Sequence, residues 1–353
     1  MTTLRKYKKE DKEGILRLFR EVWGEAIVEK TRKRWEWEFE ANPLKLREEH
    51  KAFILEDGKK IVGLISSLWA PLKVHDKIIR ALWVGYFTVH PDYRGRQGLR
   101  LARAMVLREP YLHMGFPLGK VHRFWKWLGA SESCRIDVYL HIINMQAFLA
   151  RWVNNKIFSA IAAGLWKGFR KIFLGFRLKG CQEITLCEVQ RFDERIDAFW
   201  KEVSREYKII PIKDHAYLNW RFLEYPGRKY SIWIAKREEK IVGYIICRLE
   251  QFEGLHRGHI VDFLTGAHDA AVLSCLIRKA VQALATEGAD VVLCQVASQN
   301  KMIQRVLRLE GFLFKKRGVQ GSFINNSPSV SNEELTKYED WFITAGDTEL
   351  DII

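Results

Sequence analysis

Apolar runs broken by glycine and proline divide this chain into strands and helices. The aromatic and β-branched stretch Ala81-Leu82-Trp83-Val84-Gly85-Tyr86-Phe87-Thr88-Val89 predicts a strand. A Pro91-Asp92 turn, a basic loop containing glycine and an apolar-periodic helix running to Met105 follow it. Tyr111-Leu112-His113-Met114-Gly115-Phe116-Pro117 is a short apolar run stopped by proline. Beyond it lies a helix carrying Phe124-Trp125-Lys126-Trp127-Leu128 and ending at Gly129. In the second half the pattern predicts strands at 184–188, 230–235, 241–249, 259–264 and 291–296. Helices are predicted at 193–207, around 218–222, at 270–287 and at 300–309. Strands and helices in alternation indicate an α/β fold built on a mixed sheet.

The pattern also repeats. Trp37-x-Phe39-x-x-x-Pro43 recurs as Trp220-x-Phe222-x-x-x-Pro226 at an offset of 183, and Lys60-Ile61-Val62-Gly63 recurs as Lys240-Ile241-Val242-Gly243 at an offset of 180. Gly129 and Gly311 align at an offset of 182. Three anchors in one order at nearly constant spacing indicate that one fold has been duplicated. The division expected is an N-terminal domain at 1–150, a connecting segment at 151–180, a C-terminal domain at 181–325 and a tail at 326–353.

The loop after the first central strand carries the chemistry. A strand that feeds a loop at a helix N-terminus brings unpaired amides and the positive end of the helix dipole to one point, which is an anion trap. Arg94, Arg96 and Arg100 add charge there, so a phosphate or pyrophosphate is the expected ligand. No Gly-x-x-x-x-Gly-Lys-Ser/Thr occurs, which removes a Walker-type loop. The corresponding segment of the second copy, Thr265-Gly266-Ala267-His268-Asp269, has no arginine, so one competent site is expected, in the first copy.

The run Val89-His90-Pro91-Asp92-Tyr93-Arg94-Gly95-Arg96 resembles the acetyl-coenzyme A signature of the GNAT acetyltransferase superfamily. In that family the pyrophosphate loop reads Arg/Gln-x-x-Gly-x-Gly/Ala. Arg94 matches the opening residue, while Gln97 and Leu99 stand where the two small residues belong; Gly95 and Gly98 restore backbone access if the register shifts by one. The resemblance implies two tandem GNAT-like domains, each a mixed, mostly antiparallel sheet flanked by helices, with the second domain degenerate. It implies acetyl-coenzyme A as acyl donor and an amine, on a small molecule or a protein, as acceptor. The implied cofactor-binding residues are Phe87, Thr88, Val89, Arg94, Gly95, Arg96, Gln97, Gly98, Leu99 and Arg100. Backbone amides of the splayed central strand would stabilise the oxyanion.

Proton transfer is harder to assign from the residues. The family's tyrosine, four residues before the closing glycine, is replaced by Trp125, whose indole donates a hydrogen bond but is no acid at physiological pH, and an expected asparagine is replaced by Leu118. Tyr86 and His90 flank the site, and strand alternation puts them on one face. Some tandem relatives use the chain's terminal carboxylate as base, which makes Ile353 a third candidate.

Composition narrows the rest. The 353 residues suit two domains, and 13 Trp and 20 Phe can fill two cores. The six cysteines show no Cys-x-x-Cys pair, so buried reduced thiols and a cytoplasmic location are expected, in keeping with a start, Met1-Thr2-Thr3-Leu4-Arg5-Lys6, that has no apolar signal core. A net charge of +15 favours an anionic partner, and coenzyme A is one. Lys120, Arg123 and Lys126, interleaved with Phe124, Trp125 and Trp127, resemble a nucleic-acid patch, but no complete binding motif accompanies them. At 157–176 apolar and basic residues recur at helical spacing, which is read as an interdomain helix in preference to a peripheral membrane contact. No metal-site spacing and no Gly-x-Ser-x-Gly elbow is present. Two alternatives to an N-acetyltransferase stay open: a Fem-type enzyme taking aminoacyl-tRNA, and a non-catalytic acyl-coenzyme A-binding scaffold.

Overall fold

A computed structural model describes residues 1–39, 41–44, 52–107, 109–150, 164–165, 181–297, 299–348 and 351. The anticipated helix at 157–176 and the terminal Ile353 lie outside the described residues, apart from 164–165. Two compact units are present, and neither is a continuous stretch of chain. The first comprises 1–133, 216–228 and 320–337; the second comprises 134–215, 229–319 and 338–353.

In the first unit the sheet runs β1 (Thr2–Lys6), β2 (Ala52–Asp57), β3 (Lys60–Trp69), then β6 (Ala81–Val84) and β7 (Thr88–Val89) as two pieces of one line, then β8 (Leu112–Gly115). A small hairpin of β4 (Leu72–Val74) and β5 (Lys77–Ile79) precedes β6. All neighbouring pairs are antiparallel except β6 with β8. Helices α1 (Lys12–Trp23) and α2 (Glu25–Phe39) cover one face. Ile15, Leu16, Phe19, Val28 and Trp35 pack there on Ile54, Ile61 and Leu64. Helices α3 (Arg96–Val106) and α4 (Gly119–Trp127) cover the other, where Leu101, Met105 and Trp125 pack on Leu55, Val62 and Ile65. Apolar residues three and four apart on each helix produce these faces.

In the second unit the order is β10 (Thr185–Glu188), β12 (Ser231–Arg237), β13 (Lys240–Phe252), β14 (Leu255–Thr265) and β15 (Val291–Ala297). Again a single pair is parallel, β14 with β15. A short strand β11 (Ile209–Pro211) lies between β10 and β12 in the chain. The matching order in the two units is the physical form of the sequence repeat.

Each sheet is completed by the other copy's last strand. Strand β9 (Ser131–Ile142) follows α4, yet its residues Asp137–Ile142 pair with β15. Strand β16 (Leu313–Asn325) follows the helix Lys301–Leu309, yet its residues Ser322–Asn325 pair with β8. The boundaries at 150 and 325 drawn from sequence therefore do not coincide with the compact units, because the chain passes from one to the other within β9 and β16.

The repeated tryptophans meet inside the first unit. Trp37 and Trp220 stack at 4.5 Å with their planes 9° apart, and each indole N–H donates to the other residue's carbonyl, at 2.6 and 2.8 Å.

The cysteine expectation needs one correction. Cys181 and Cys275 are bonded, their Cα atoms 5.8 Å apart, while Cys134, Cys187, Cys247 and Cys294 are not in disulfides. The pair is 94 positions apart in sequence, so no local spacing announced it. Among the described residues no helix is long and apolar enough to cross a membrane, and no group of His, Cys, Asp and Glu is placed to hold a metal.

Candidate active site

The expected central strand is broken. Ser67 pairs with Val84, but Leu64 pairs with Thr88, so β3 advances three residues while its partner advances four. One extra residue within Gly85–Phe87 bulges the strand, and the Gly85 amide still reaches the Ser66 carbonyl at 2.9 Å. Parallel pairing with β8 stops at Trp83 and Met114. The Val84 carbonyl still lies near Gly115, and at Gly85–Phe87 no pairing with β8 is present among the described residues, which leaves a splay between the two strands.

Past the bulge, alternation sorts the side chains cleanly. Phe87 and Val89 join the cluster under α3 and α4, where Phe87 stacks on Phe124 at 5.6 Å. Tyr86, Thr88 and His90 face α1 and α2 instead. Trp23 Nε1 donates to Thr88 Oγ1 at 3.3 Å, and His90 Nε2 lies 3.5 Å from Glu21. Tyr86 donates to Glu38 at 2.9 Å and accepts from Arg34 Nε at 2.7 Å.

Of this last trio the sequence singled out Tyr86 but neither Arg34 nor Glu38. Arg34 and Glu38 are four apart on α2, a spacing that an exposed helix face shows as often. Burial raises the Glu38 carboxyl, with Arg34, Tyr86 and Arg221 pulling against that rise. Burial, followed by Glu38, also holds the Tyr86 hydroxyl well above its ordinary value, so Tyr86 stays protonated near neutrality.

The strand ends at the turn Pro91–Tyr93 and the loop enters α3 through Gly95, whose φ of 76° and ψ of −114° suit glycine and strain other residues. The first helical bond is Leu99 N–H to the Gly95 carbonyl. The amides of Arg96, Gln97 and Gly98 precede it and have no partner among the described residues. Pro91, Asp92, Arg94, Gly95 and Arg96 are exposed. Gln97 and Leu99, the two departures from the signature, do not close the loop. The Gln97 side-chain Oε1 accepts from Arg100 at 2.8 Å along the helix surface, and Gly98 is the residue that lies against the strand. A Cβ built on Gly98 would stand 3.7 Å from Val89 and 3.9 Å from Phe87. Arg100 also reaches the Thr2 hydroxyl at 3.1 Å, while Arg94 approaches the Val89 carbonyl at 3.4 Å. Three free amides, two exposed arginines and a glycine entry suit a pyrophosphate.

Trp125 is buried in the core between α4 and the sheet, so at the family's tyrosine position stands an indole, which is no acid near neutrality.

The second copy is an internal control. Strand β14 carries the same one-residue irregularity, between its pairs Ile246 with Asp262 and Cys247 with Ile260. Here the splay is filled. A short strand β17 (Ile343–Thr344) pairs with Val296 and Ala297 at the end of β15, and its hydroxyl at Thr344 reaches Asp262 at 2.7 Å. Lys213, fully buried, bonds Asp262 at 2.7 Å and Asp347 at 2.6 Å. Tyr244 donates to the other Asp262 oxygen at 2.9 Å. The loop amides are also taken. Glu206 accepts from Ala267 at 2.7 Å, and Asp269 caps the helix Ala270–Thr286 through Val272. Carboxylates of the chain itself thus stand where an anion would bind.

Comparison with known proteins agrees with this geometry. A family model described as an acetyltransferase (GNAT) domain matches residues 3–108, the span from β1 to the end of α3. The match lies within the first copy and covers 106 of the 353 residues. A GCN5-related N-acetyltransferase from Kribbella flavida superposes with a TM-score of 0.58 at 12% identity, over 92% of this chain and 70% of its own. A probable N-acyltransferase from Enterococcus faecalis gives 0.60 at 14%, over 92% and 73%. Saccharomyces cerevisiae N-myristoyltransferase with bound myristoyl-CoA and inhibitors gives 0.56 at 12%, over 98% and 86%. At these identities the likeness is one of fold. No curated protein matches in sequence.

Proposed function

We propose that the chain is an acyl-coenzyme A-dependent N-acyltransferase with one working site, in the GNAT domain, and that acetyl-coenzyme A is its donor. The observation that carries the reading is the contrast between the copies. One loop presents free amides and arginines beside an open splay; the other is stoppered by Glu206, Asp269 and β17. In this reading the pyrophosphate sits on the Arg96, Gln97 and Gly98 amides, with Arg94 and Arg96 beside it. The pantetheine lies along the bulged backbone of Gly85–Phe87, and one of its amides polarises the thioester carbonyl, an effect of about 3 to 4 kcal/mol per donor in other enzymes.

The acceptor amine would approach from the α1 and α2 face. Its nitrogen attacks the carbonyl, a C–N bond forms, the C–S bond breaks and the thiolate leaves, while the amine loses a proton. His90 is the candidate on that face to take up that proton, Tyr86, protonated near neutrality, is the candidate to supply one to the thiolate, and the terminal carboxylate at Ile353 is the third candidate. The buried Trp125 favours a second reading, a binder that does not turn over, since it withholds the usual proton donor.

Release of free coenzyme A from acetyl-, butyryl- and myristoyl-coenzyme A in the presence of an amine panel separates the two. Amine-dependent thiol release supports the transferase. Binding without release supports the scaffold, and no binding alongside binding of tRNA supports the Fem-type alternative. Tyr86→Phe, His90→Ala and removal of Ile352 and Ile353 then locate the proton path. The responsible change lowers kcat while leaving coenzyme A affinity intact.

A further inference from the structure

The outer face of α4 has no role in the proposed chemistry. From its leading loop onward it presents Leu118, Lys120, Val121, Arg123, Lys126 and Trp127 to solvent, with Leu118 and Trp127 each 64% exposed and Val121 42%. No acidic residue occurs in the helix, and Glu132 beyond it pairs with Lys126. On the sequence alone Phe124, Trp125 and Trp127 form a row of rings suited to nucleobases. The structure divides them: Trp125 is buried, and half-buried Phe124 stacks on Phe87 at 5.6 Å and on Trp127 at 6.2 Å, so its ring is engaged by protein neighbours and Trp127 is the one largely exposed ring. A nucleic-acid groove needs successive rings on which bases stack. Exposed aliphatic side chains gain nothing from a phosphodiester backbone. Cations around one exposed tryptophan, with leucine and valine beside it, match the headgroup and upper acyl region of an anionic bilayer.

We propose that α4 is a docking surface for anionic phospholipid membranes, with Trp127, Leu118 and Val121 entering the interface and Lys120, Arg123 and Lys126 meeting the headgroups. Charge complementarity together with the exposed Leu118, Val121 and Trp127 selects the occupant. Each cation at a membrane surface contributes about fivefold in partitioning, so a reversal of Arg123 counts about 25-fold. The full chain of net charge +15 supplies long-range attraction to any polyanion, and a test must separate that from this face.

The experiment is flotation of the full-length protein with vesicles of phosphatidylcholine alone and with about one third phosphatidylglycerol. The expected result is binding to the anionic vesicles only. Arg123→Glu lowers it by roughly 25-fold and Trp127→Ala by at least fivefold, whereas Lys59→Glu, a charge reversal at an exposed turn elsewhere in the same unit, lowers it far less. Equal losses from Lys59→Glu and Arg123→Glu would assign binding to net charge and overturn the proposal. So would absence of vesicle binding, or a single-stranded oligonucleotide that binds through Trp127 while vesicles do not. Because coenzyme A affinity is not required of this face, its retention in Arg123→Glu keeps the outcome separate from the donor-site reading.

Discussion

Replacing Lys213 by methionine should unfasten the stopper of the second copy. Lys213 and its two carboxylate partners are fully or almost fully buried. Removing one partner of a buried ionic set costs about 3–5 kcal/mol, because the remaining charges are left unpaired in a poor dielectric. That is a large part of the roughly 5–15 kcal/mol that holds a typical domain folded. The pH dependence follows from Asp262. Burial raises its carboxyl above the ordinary value, and Lys213 is the leading influence opposing that rise. Without Lys213 the folded protein takes up this proton at a higher pH than the unfolded chain does. A carboxyl raised on folding favours the folded state once it is protonated, so the penalty is greatest near neutrality and fades with acid. Urea unfolding of wild type and Lys213→Met at about pH 7 and about pH 5 measures it, with Lys213→Met/Asp262→Asn recovering part of the loss. A loss below about 1 kcal/mol, or one that grows on acidification, would refute the reasoning.

Two further outcomes are expected. Trp37→Ala removes a buried indole and leaves the Trp220 carbonyl without its donor, costing about 3–5 kcal/mol in urea unfolding, whereas Trp37→Phe keeps the stack and costs about 1–3 kcal/mol. His113 is buried on β8, and burial lowers its pKa from 6.5 to about 4. The unfolded chain therefore takes up the proton first, and stability falls as pH drops through that window, by about 3 kcal/mol for this group. His113→Leu should narrow its deficit against wild type by that amount over the same range, as read from denaturant midpoints.

The elements and the anion loop were legible because their signals are local. Proline and glycine fixed the turn before α3, and residues three and four apart fixed its buried face. The duplication was legible from the tryptophan motif. What escaped depends on distance. β9 and β16 alternate in a way that suits either sheet, so nothing in their residues announces which they join. The one-residue bulge is marked only by Gly85. The acidic tail resembles a frayed end until Lys213 takes Asp347 and Arg248 takes Asp351, partners 134 and 103 residues away. Rings counted as one patch on α4 divide between core and solvent, since a helix turns by about 100° per residue.

Calorimetric titration of coenzyme A into the full chain, repeated with Gly95→Val, tests the central claim most directly. One site per chain is predicted, with binding weakened at least tenfold in the variant, because a β-branched residue at a φ of 76° distorts the entry to the three free amides. Absence of binding, two sites per chain, or equal affinity in the variant would contradict the account.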